Sequence, residues 1–173
     1  MDLRIVKTRH AIKEAFLKLR STLPLEKIKI KDICEMSLIN KTTFYKHYDD
    51  IYALANETEN EAIDSVVNCF TEKDDIFANP ILFIEGFPKA LDKNKSFLEP
   101  LFHDNFDKFF FLLEKKLKDY YGISSGSMEE KIRLTFIVGG VLHTLRTMKY
   151  EYDCDDSVLA DTVSDIICDL LGH

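Results

Sequence analysis

The sequence has no tryptophan, only six glycines and four prolines, and no uncharged apolar run of about 18 residues. Scarce glycine and proline leave few turn signals, which favours a helical protein over one built from many short strands. Without such an apolar run, no segment is expected to span a membrane. The four cysteines stand far apart, without a C-x-x-C pair or clustered histidines, so reduced thiols in a cytoplasmic protein are the simplest expectation.

Motifs that carry catalysis are also missing from the sequence. It contains no G-x-S-x-G, no glycine-rich phosphate loop and no H-E-x-x-H, each of which would indicate a reaction class. Carboxylates are plentiful, but they are spread along the chain. We therefore expect no enzyme, no catalytic residue, no bound metal and no cofactor.

The net charge of −7 is divided unevenly along the chain. Residues 1–48 contain 11 Lys and Arg against 5 Asp and Glu, a net charge of +6, and residues 49–173 contain 12 against 25, a net charge of −13. A basic N-terminal segment is typical of a part that meets a polyanion, whereas an acidic remainder is repelled by it. The charge therefore predicts that only the N-terminal segment contacts nucleic acid.

Apolar spacing predicts three helices in the N-terminal segment. Residues 3–20 show helical periodicity and end before Pro24. The alternation over residues 26–31 is typical of a strand, but it does not persist. Ile30, Ile33 and Cys34 are spaced i, i+3, i+4 and share one helical face, so a short helix is predicted over 30–36. A turn over 37–40 and a third helix over 41–47 follow.

The remainder is also predicted to be helical, so the fold class is all-α. Asp49-Asp50 offers an N-cap to the next helix, and Ser127 with Glu130 forms a capping box. The polar residues 71–80 are interpreted as a loop. The further helices are predicted over 50–70, 80–93 with a bend at Pro88, 96–103, 105–120, 127–150 and 156–171, the last with an apolar stripe of Val158, Thr162, Val163, Ile166 and Leu170.

The segment from Asn40 to Tyr48 is short, basic and aromatic. On a helix, Phe44 and Tyr48 share one face and are predicted to be core. The opposite face presents hydrogen-bond donors and no carboxylate, as a surface that meets phosphates and bases requires. Its predicted members are Lys41, Thr42, Tyr45 and Lys46, with Thr43 and His47 at its flanks.

Residues 30–54 resemble the N-terminal signature of the tetracycline-repressor (TetR) family of bacterial transcription regulators. The resemblance is carried by Ile33-Cys34, Ile39, Thr43-Phe44-Tyr45, His47-Tyr48 and Leu54, and it covers roughly residues 5–55. It implies a helix-turn-helix in which Tyr45 and His47 contact phosphates, while Lys41, Thr42, Thr43 and Lys46 lie nearest to bases or flanking phosphates. Lys31, in the preceding helix, would support these contacts.

The same resemblance implies the organisation of the whole chain. Residues 1–48 would form the DNA-binding domain and residues 49–173 a regulatory and dimerisation domain, connected by the helix over 50–70. A homodimer through the helices over 127–150 and 156–171 would bind a palindromic operator of double-stranded DNA, by default as a repressor. An effector bound by the C-terminal domain would modulate that binding.

The chain departs from the family pattern in the turn and at the start of the fourth helix. Leu38 stands where glycine is usual, and because a leucine does not readily adopt a positive φ, a different turn backbone is expected. Ile51 stands where a lysine is frequent, and Lys29 stands at a cap often held by threonine. These departures predict weaker DNA binding more than a changed fold.

The C-terminal part is rich in aromatic residues, which could line an effector pocket or fill a plain core. Gly139-Gly140, inside a predicted helix, indicates either a close helix approach or a local kink. The alternative to a small-molecule effector is a partner protein docked on the acidic C-terminal part. The candidate pocket residues are Phe83, Phe87, Phe102, Phe106, Phe110, Phe136 and His143.

Overall fold

The computed structural model describes residues 3–69, 80–120, 122 and 126–171, with only the backbone given at some positions, among them 80–85. Within these residues every regular element is a helix and no strand occurs, which confirms the predicted all-α class. None of the described helices combines the length and apolar character that crossing a membrane requires.

The helices lie close to the predicted ranges, and the largest difference is at the fourth helix, which ends at Val67 rather than at residue 70. The third helix ends at Tyr45 rather than at residue 47, and Lys46 and His47 follow it in a turn. The predicted loop over 71–80 lies almost wholly outside the described residues. The helices are α1 (Leu3–Arg20), α2 (Ile30–Met36), α3 (Lys41–Tyr45), α4 (Ile51–Val67), α5 (Pro80–Lys93), α6 (Lys95–Phe102), α7 (Phe106–Tyr120), α8 (Met128–Tyr150) and α9 (Asp156–Leu171), with a 3₁₀ turn over Leu25–Lys27.

The chain forms two compact units. The first unit runs to Ala62 and also includes Asn94–Phe106, and the second contains Ile63–Lys93 and the chain from Asp107 onward. In the first unit, α1 packs on α6 as well as on α2. Its fully buried side chains include Ile12, Phe16, Ile33, Phe44 and Leu54. The domain boundary after residue 48 stays a prediction.

In the second unit, α9 packs against both α5 and α8. The predicted apolar stripe of α9 is divided: Val163 is buried, whereas Val158, Thr162 and Ile166 are exposed. The apolar spacing over residues 105–120 predicts a buried Phe106, which is wrong, since this side chain is exposed. The buried apolar positions of α9 are Leu159, Val163 and Ile167.

Side-chain caps determine where several helices begin. The Asp50 carboxylate accepts a hydrogen bond from the backbone N–H of Ala53 at 2.7 Å, and the predicted capping box of Ser127 and Glu130 is present. Asn40, which the sequence analysis assigned only to the turn, caps α3 by accepting from the N–H of Thr43 at 2.8 Å. These contacts satisfy amide groups that have no partner within the helix.

The turn between α2 and α3 is a Schellman motif. The N–H of Ile39 donates to the carbonyl of Cys34 at 3.0 Å, and the N–H of Leu38 donates to that of Glu35 at 3.4 Å. Leu38 takes the left-handed conformation that usually belongs to glycine here, with φ of 55°. The expectation of a different turn backbone is therefore wrong: the chain keeps the turn and accepts the strain of a leucine in it.

We expect Leu38→Gly to stabilise the protein. The left-handed conformation costs an L-residue about 1–2 kcal/mol, and glycine's greater freedom in the unfolded chain offsets about half of that. The Leu38 side chain is 92% exposed, so little packing is lost. The net gain of about 1 kcal/mol corresponds to a Tm increase of about 2–4 °C in thermal unfolding. Leu38→Ala, which keeps the Cβ, should leave Tm nearly unchanged, and a fall in Tm for Leu38→Gly would contradict this account.

Candidate nucleic-acid interface

Helix α3 is fixed to the first unit by two aromatic residues. Phe44 is completely buried and Tyr48 is 4% exposed, which confirms both as core residues. Their ring centroids lie 5.8 Å apart, and the ring of Tyr45 meets Phe44 edge-on at 5.6 Å. These distances are favourable for aromatic pairs. A helix of only five residues therefore has a defined orientation.

The predicted outer face of α3 is exposed. Tyr45 is 53% exposed although its ring also contacts Phe44. Thr43 and His47, predicted as flanking residues, are half-buried. The exposed members of the predicted set are Lys31 on α2, Lys41, Thr42 and Tyr45 on α3, and Lys46 directly after it. The structure thus brings a basic and hydroxyl-bearing surface together around α3.

The hydroxyl of Thr43 has a structural partner. It donates to the side-chain oxygen of Asn40 at 3.0 Å, beside the backbone cap. The hydroxyl oxygen can still accept a hydrogen bond, but its proton is already donated to Asn40 and is not available to DNA. Thr43 therefore contributes more to the start of α3 than the sequence alone indicated.

Two carboxylates near this surface, Glu35 and Asp50, are engaged with neighbouring groups. Glu35 lies 3.4 Å from the ammonium of Lys31, one helical turn away, and both side chains are well exposed. Such an exposed pair contributes little free energy, so Lys31 can exchange it for a phosphate. Asp50 is used as the cap of α4.

Five side chains, which we call the Glu57 cluster, join α1, the segment after α3 and α4. The carboxylate of Glu57 on α4 accepts hydrogen bonds from the guanidinium of Arg9 and, at 3.0 Å, from the hydroxyl of Tyr48. The ammonium of Lys13 lies 2.5 Å from Glu57 and from Glu61. Arg9 also lies over the Tyr48 ring, 5.0 Å from its centroid, a cation–π geometry.

The electrostatics of the cluster favour a charged carboxylate. Burial raises the pKa of Glu57, but the hydrogen bonds from Lys13, Arg9 and Tyr48 together outweigh burial and lower that pKa below its usual value. Burial, and then the hydrogen bond to Glu57, raises the pKa of Tyr48. Near neutral pH, Glu57 is therefore a carboxylate and Tyr48 a neutral donor.

Arg20, at the end of α1, is a buried cation that the sequence analysis did not single out. It is 4% exposed and makes a two-pronged ion pair with Asp104, with N–O distances of 2.9 and 3.2 Å. It also donates to the carbonyls of Leu23 and Leu101. The hydrogen bond from Arg20 holds the pKa of Asp104 below its ordinary value.

These ion pairs neutralise part of the positive charge of the N-terminal segment. Arg9, Lys13 and Arg20 are three of the 11 basic residues in positions 1–48, and all three are paired with carboxylates inside the first unit. Fewer basic side chains are therefore available to bind a polyanion than the net charge of +6 indicated. No residue pattern near Arg20 or Glu57 could have revealed this, because their partners lie far away in the sequence.

The predicted pocket residues belong to both units. Phe102 and Phe106 belong to the first unit, and the others to the second. Phe87 and Phe102 are buried, Phe110 is half-buried, and Phe106, Phe136 and His143 are exposed. The side chain of Phe83 lies outside the described residues. An effector pocket lined by this set stays a prediction.

Among the described residues, no group of three or more His, Cys, Asp or Glu side chains is arranged to hold a metal ion. A scan against models of protein families finds no match to this chain, and no curated protein matches its sequence.

Proposed function

We propose that this protein is a homodimeric DNA-binding transcription regulator of the TetR type, by default a repressor, in which α2 and α3 form the helix-turn-helix. The observation that carries the proposal is the two-sided character of α3. One side is anchored through buried Phe44, and the other exposes lysines, a threonine and a tyrosine. A helix that inserts into the major groove requires both sides.

The exposed side chains match the two kinds of contact that a DNA reader makes. Lys31 and Lys46 suit phosphates, and the hydroxyl of Tyr45 can donate to a phosphate oxygen. Lys41 and Thr42, at the start of α3, are placed for base edges, because the N-terminal residues of a recognition helix enter the groove most deeply. Lysine donates to the O6 and N7 of guanine, and the threonine methyl suits thymine.

Two helices of the second unit support pairing with a second copy of the chain. On α8, Met128, Ile132 and Phe136 recur every four residues and are 70%, 63% and 65% exposed. On α9, Val158 and Ile166 are 56% and 53% exposed. Exposure of large apolar side chains to water is unfavourable, and rows of them at helical spacing are typical of an interface.

Gly140 adds a separate reason for an approach by another helix. It lies inside α8 and is exposed, and a Cβ at this position would meet nothing within 4 Å. Packing within the described chain therefore does not require a glycine, although glycine costs a helix about 1 kcal/mol relative to alanine. A second copy that packs closely on this face would explain it.

We expect Phe136→Glu to convert a dimer into monomers. A charge placed on each copy within an apolar interface is buried against a like charge, which costs several kcal/mol and raises the dissociation constant by about 1000-fold or more. Sedimentation equilibrium measures it. Phe111→Glu is the matched control, because Phe111 on α7 is 66% exposed and lies outside the proposed interface. Equal association of the two variants would contradict the assignment.

The direct test of function is a titration of labelled duplexes, taken from the DNA that flanks the protein's own gene, with purified protein. Two exposed lysines per protomer are assigned to phosphates (Lys31 and Lys46), which gives four cations per dimer. The logarithm of the binding constant should then fall with the logarithm of salt concentration with a slope of about −4. An affinity that does not depend on salt, or no binding at low salt, would contradict the proposal.

The second unit would receive the signal that modulates DNA binding, and a small-molecule effector is the first candidate. A partner protein of basic charge is the second, because Asp161, Asp165 and Asp169 form an exposed acidic row along α9. Ligand-soaked crystals with new density among the aromatic residues of the second unit would favour the first candidate. Stoichiometric co-purification of a basic protein would favour the second.

A further inference from the structure

A continuous series of contacts joins α4 to the exposed face of α3. The Glu57 carboxylate holds the Tyr48 hydroxyl at 3.0 Å. The Tyr48 ring packs on Phe44, and Phe44 packs on the ring of Tyr45. On the other side of the same carboxylate stand Arg9 and Lys13 of α1. A single side chain therefore contacts both Tyr48, which supports α3, and helix α1.

We propose that Glu57 is the positioning residue of the DNA-reading surface: it sets the placement of α3 through Tyr48, so that operator affinity depends on Glu57 although it does not itself contact DNA. This inference rests on the proposed function and identifies how the chain maintains the geometry that function needs. Glu57 lies on α4, outside the segment 41–48 in which DNA contacts were predicted.

The chemistry of the cluster explains why a carboxylate is needed. Arg9, Lys13 and Tyr48 all donate, and a carboxylate offers acceptor oxygens to all three. A glutamine of nearly the same shape offers one oxygen and one NH₂ group, and that NH₂ would face donors. Tyr48 and Lys13 share one carboxylate oxygen of Glu57, and Arg9 binds the other. In Glu57→Gln, the NH₂ group faces either Tyr48 and Lys13 or Arg9, which lies over the Tyr48 ring. Either orientation therefore disturbs the surroundings of Tyr48.

Positioning and simple attraction to DNA can be separated by experiment. Attraction to any duplex depends on the number of exposed cations near phosphates, and Glu57→Gln removes none of them. Contacts to base edges instead depend on where α3 lies, because a hydrogen bond weakens steeply when its length or angle changes. A positioning residue should thus affect operator binding far more than binding to duplexes of unrelated sequence.

The test compares Glu57→Gln with the unaltered protein on the operator and on an unrelated duplex. We expect operator affinity to fall by about 10-fold or more and affinity for the unrelated duplex to change by less than about 3-fold. Tyr48→Phe, which removes only the hydroxyl, should reproduce part of the loss on the operator. Parallel losses on both duplexes would reduce Glu57 to a general folding role, and an unchanged operator affinity would overturn the inference.

Glu61→Gln is the matched control. Glu61 lies one turn further along α4 and shares Lys13 with Glu57, whereas the Tyr48 hydroxyl donates its hydrogen bond to Glu57. The same loss of charge at this position should leave operator affinity within about 2-fold. A loss equal to that of Glu57→Gln would mean that the total charge of the cluster matters rather than the contact with Tyr48, and would overturn the inference.

A measurement without DNA distinguishes failure of this inference from failure of the proposed function. Amide hydrogen exchange over residues 41–48 should be faster in Glu57→Gln and unchanged in Glu61→Gln, with α2 unaffected in both. If the unaltered protein binds no duplex, the proposed function fails, and hydrogen exchange still decides whether Glu57 positions α3. Unchanged exchange over 41–48 would overturn the positioning role even if DNA binding is observed.

Discussion

Lys41→Ala combined with Tyr45→Ala is expected to reduce operator affinity by about 1000-fold. The two changes remove two contacts in each protomer and therefore four in the dimer, and about 1 kcal/mol for each contact gives about 4 kcal/mol. Both side chains are exposed, so Tm should change by no more than about 2 °C. Fluorescence anisotropy with labelled operator measures the affinity, and circular dichroism the stability.

The matched control for this double variant is Lys95→Ala combined with Tyr152→Ala. It removes the same two side-chain types at exposed positions remote in sequence from α2 and α3, so operator affinity should stay within about 2-fold. If the Lys41 and Tyr45 double variant kept the affinity of the unaltered protein, the surface assigned to DNA would be wrong.

Arg20→Met is expected to produce the largest loss of stability among single changes of this kind, about 3 kcal/mol. Methionine keeps much of the buried stem but removes the partner of Asp104 and two donors to backbone carbonyls. Loss of one partner from a buried ion pair leaves buried polar groups without hydrogen bonds. For a chain of this length, Tm should fall by about 6–12 °C, measured by thermal unfolding.

A change at Asp104, the partner of Arg20, provides the comparison of stability. Asp104→Asn keeps one acceptor oxygen for Arg20, and the Asp104 side chain is 38% exposed, so a smaller loss of about 1 kcal/mol is expected. Since the pKa of Asp104 is lowered in the folded state, its stabilisation is present above the unfolded-state pKa and is lost as the pH falls through the folded-state value. An Arg20→Met variant as stable as the unaltered protein would contradict the structural role.

The helices and the anchoring of α3 could be predicted from sequence because they depend on local patterns. The spacing of Phe44 and Tyr48 placed both on one face, and the residue types of Ser127 and Glu130 determined the start of α8. Sequence-local chemistry of this kind acts over three or four residues, which is within reach of a periodicity argument.

The parts that could not be predicted depend on contacts between distant positions or between similar faces. Helix α9 has two apolar stripes, and periodicity does not tell which of Leu159 or Val158 faces inward. Glu57 meets Arg9, and Asp104 meets Arg20, across 48 and 84 residues of sequence. The left-handed Leu38 was misjudged because the turn's hydrogen bonds outweigh the local preference of the residue.

The central claim is that the exposed face of α3 binds duplex DNA, twice in each dimer. The most direct measurement is selection from a random-sequence duplex library by the purified protein at low ionic strength, followed by sequencing of the bound fraction. The account predicts enrichment of an inverted repeat whose half-sites are separated by a multiple of about 10–10.5 base pairs, and loss of that enrichment in the Lys41 and Tyr45 double variant. A bound fraction without sequence enrichment, or the same enriched repeat with the double variant, would contradict it.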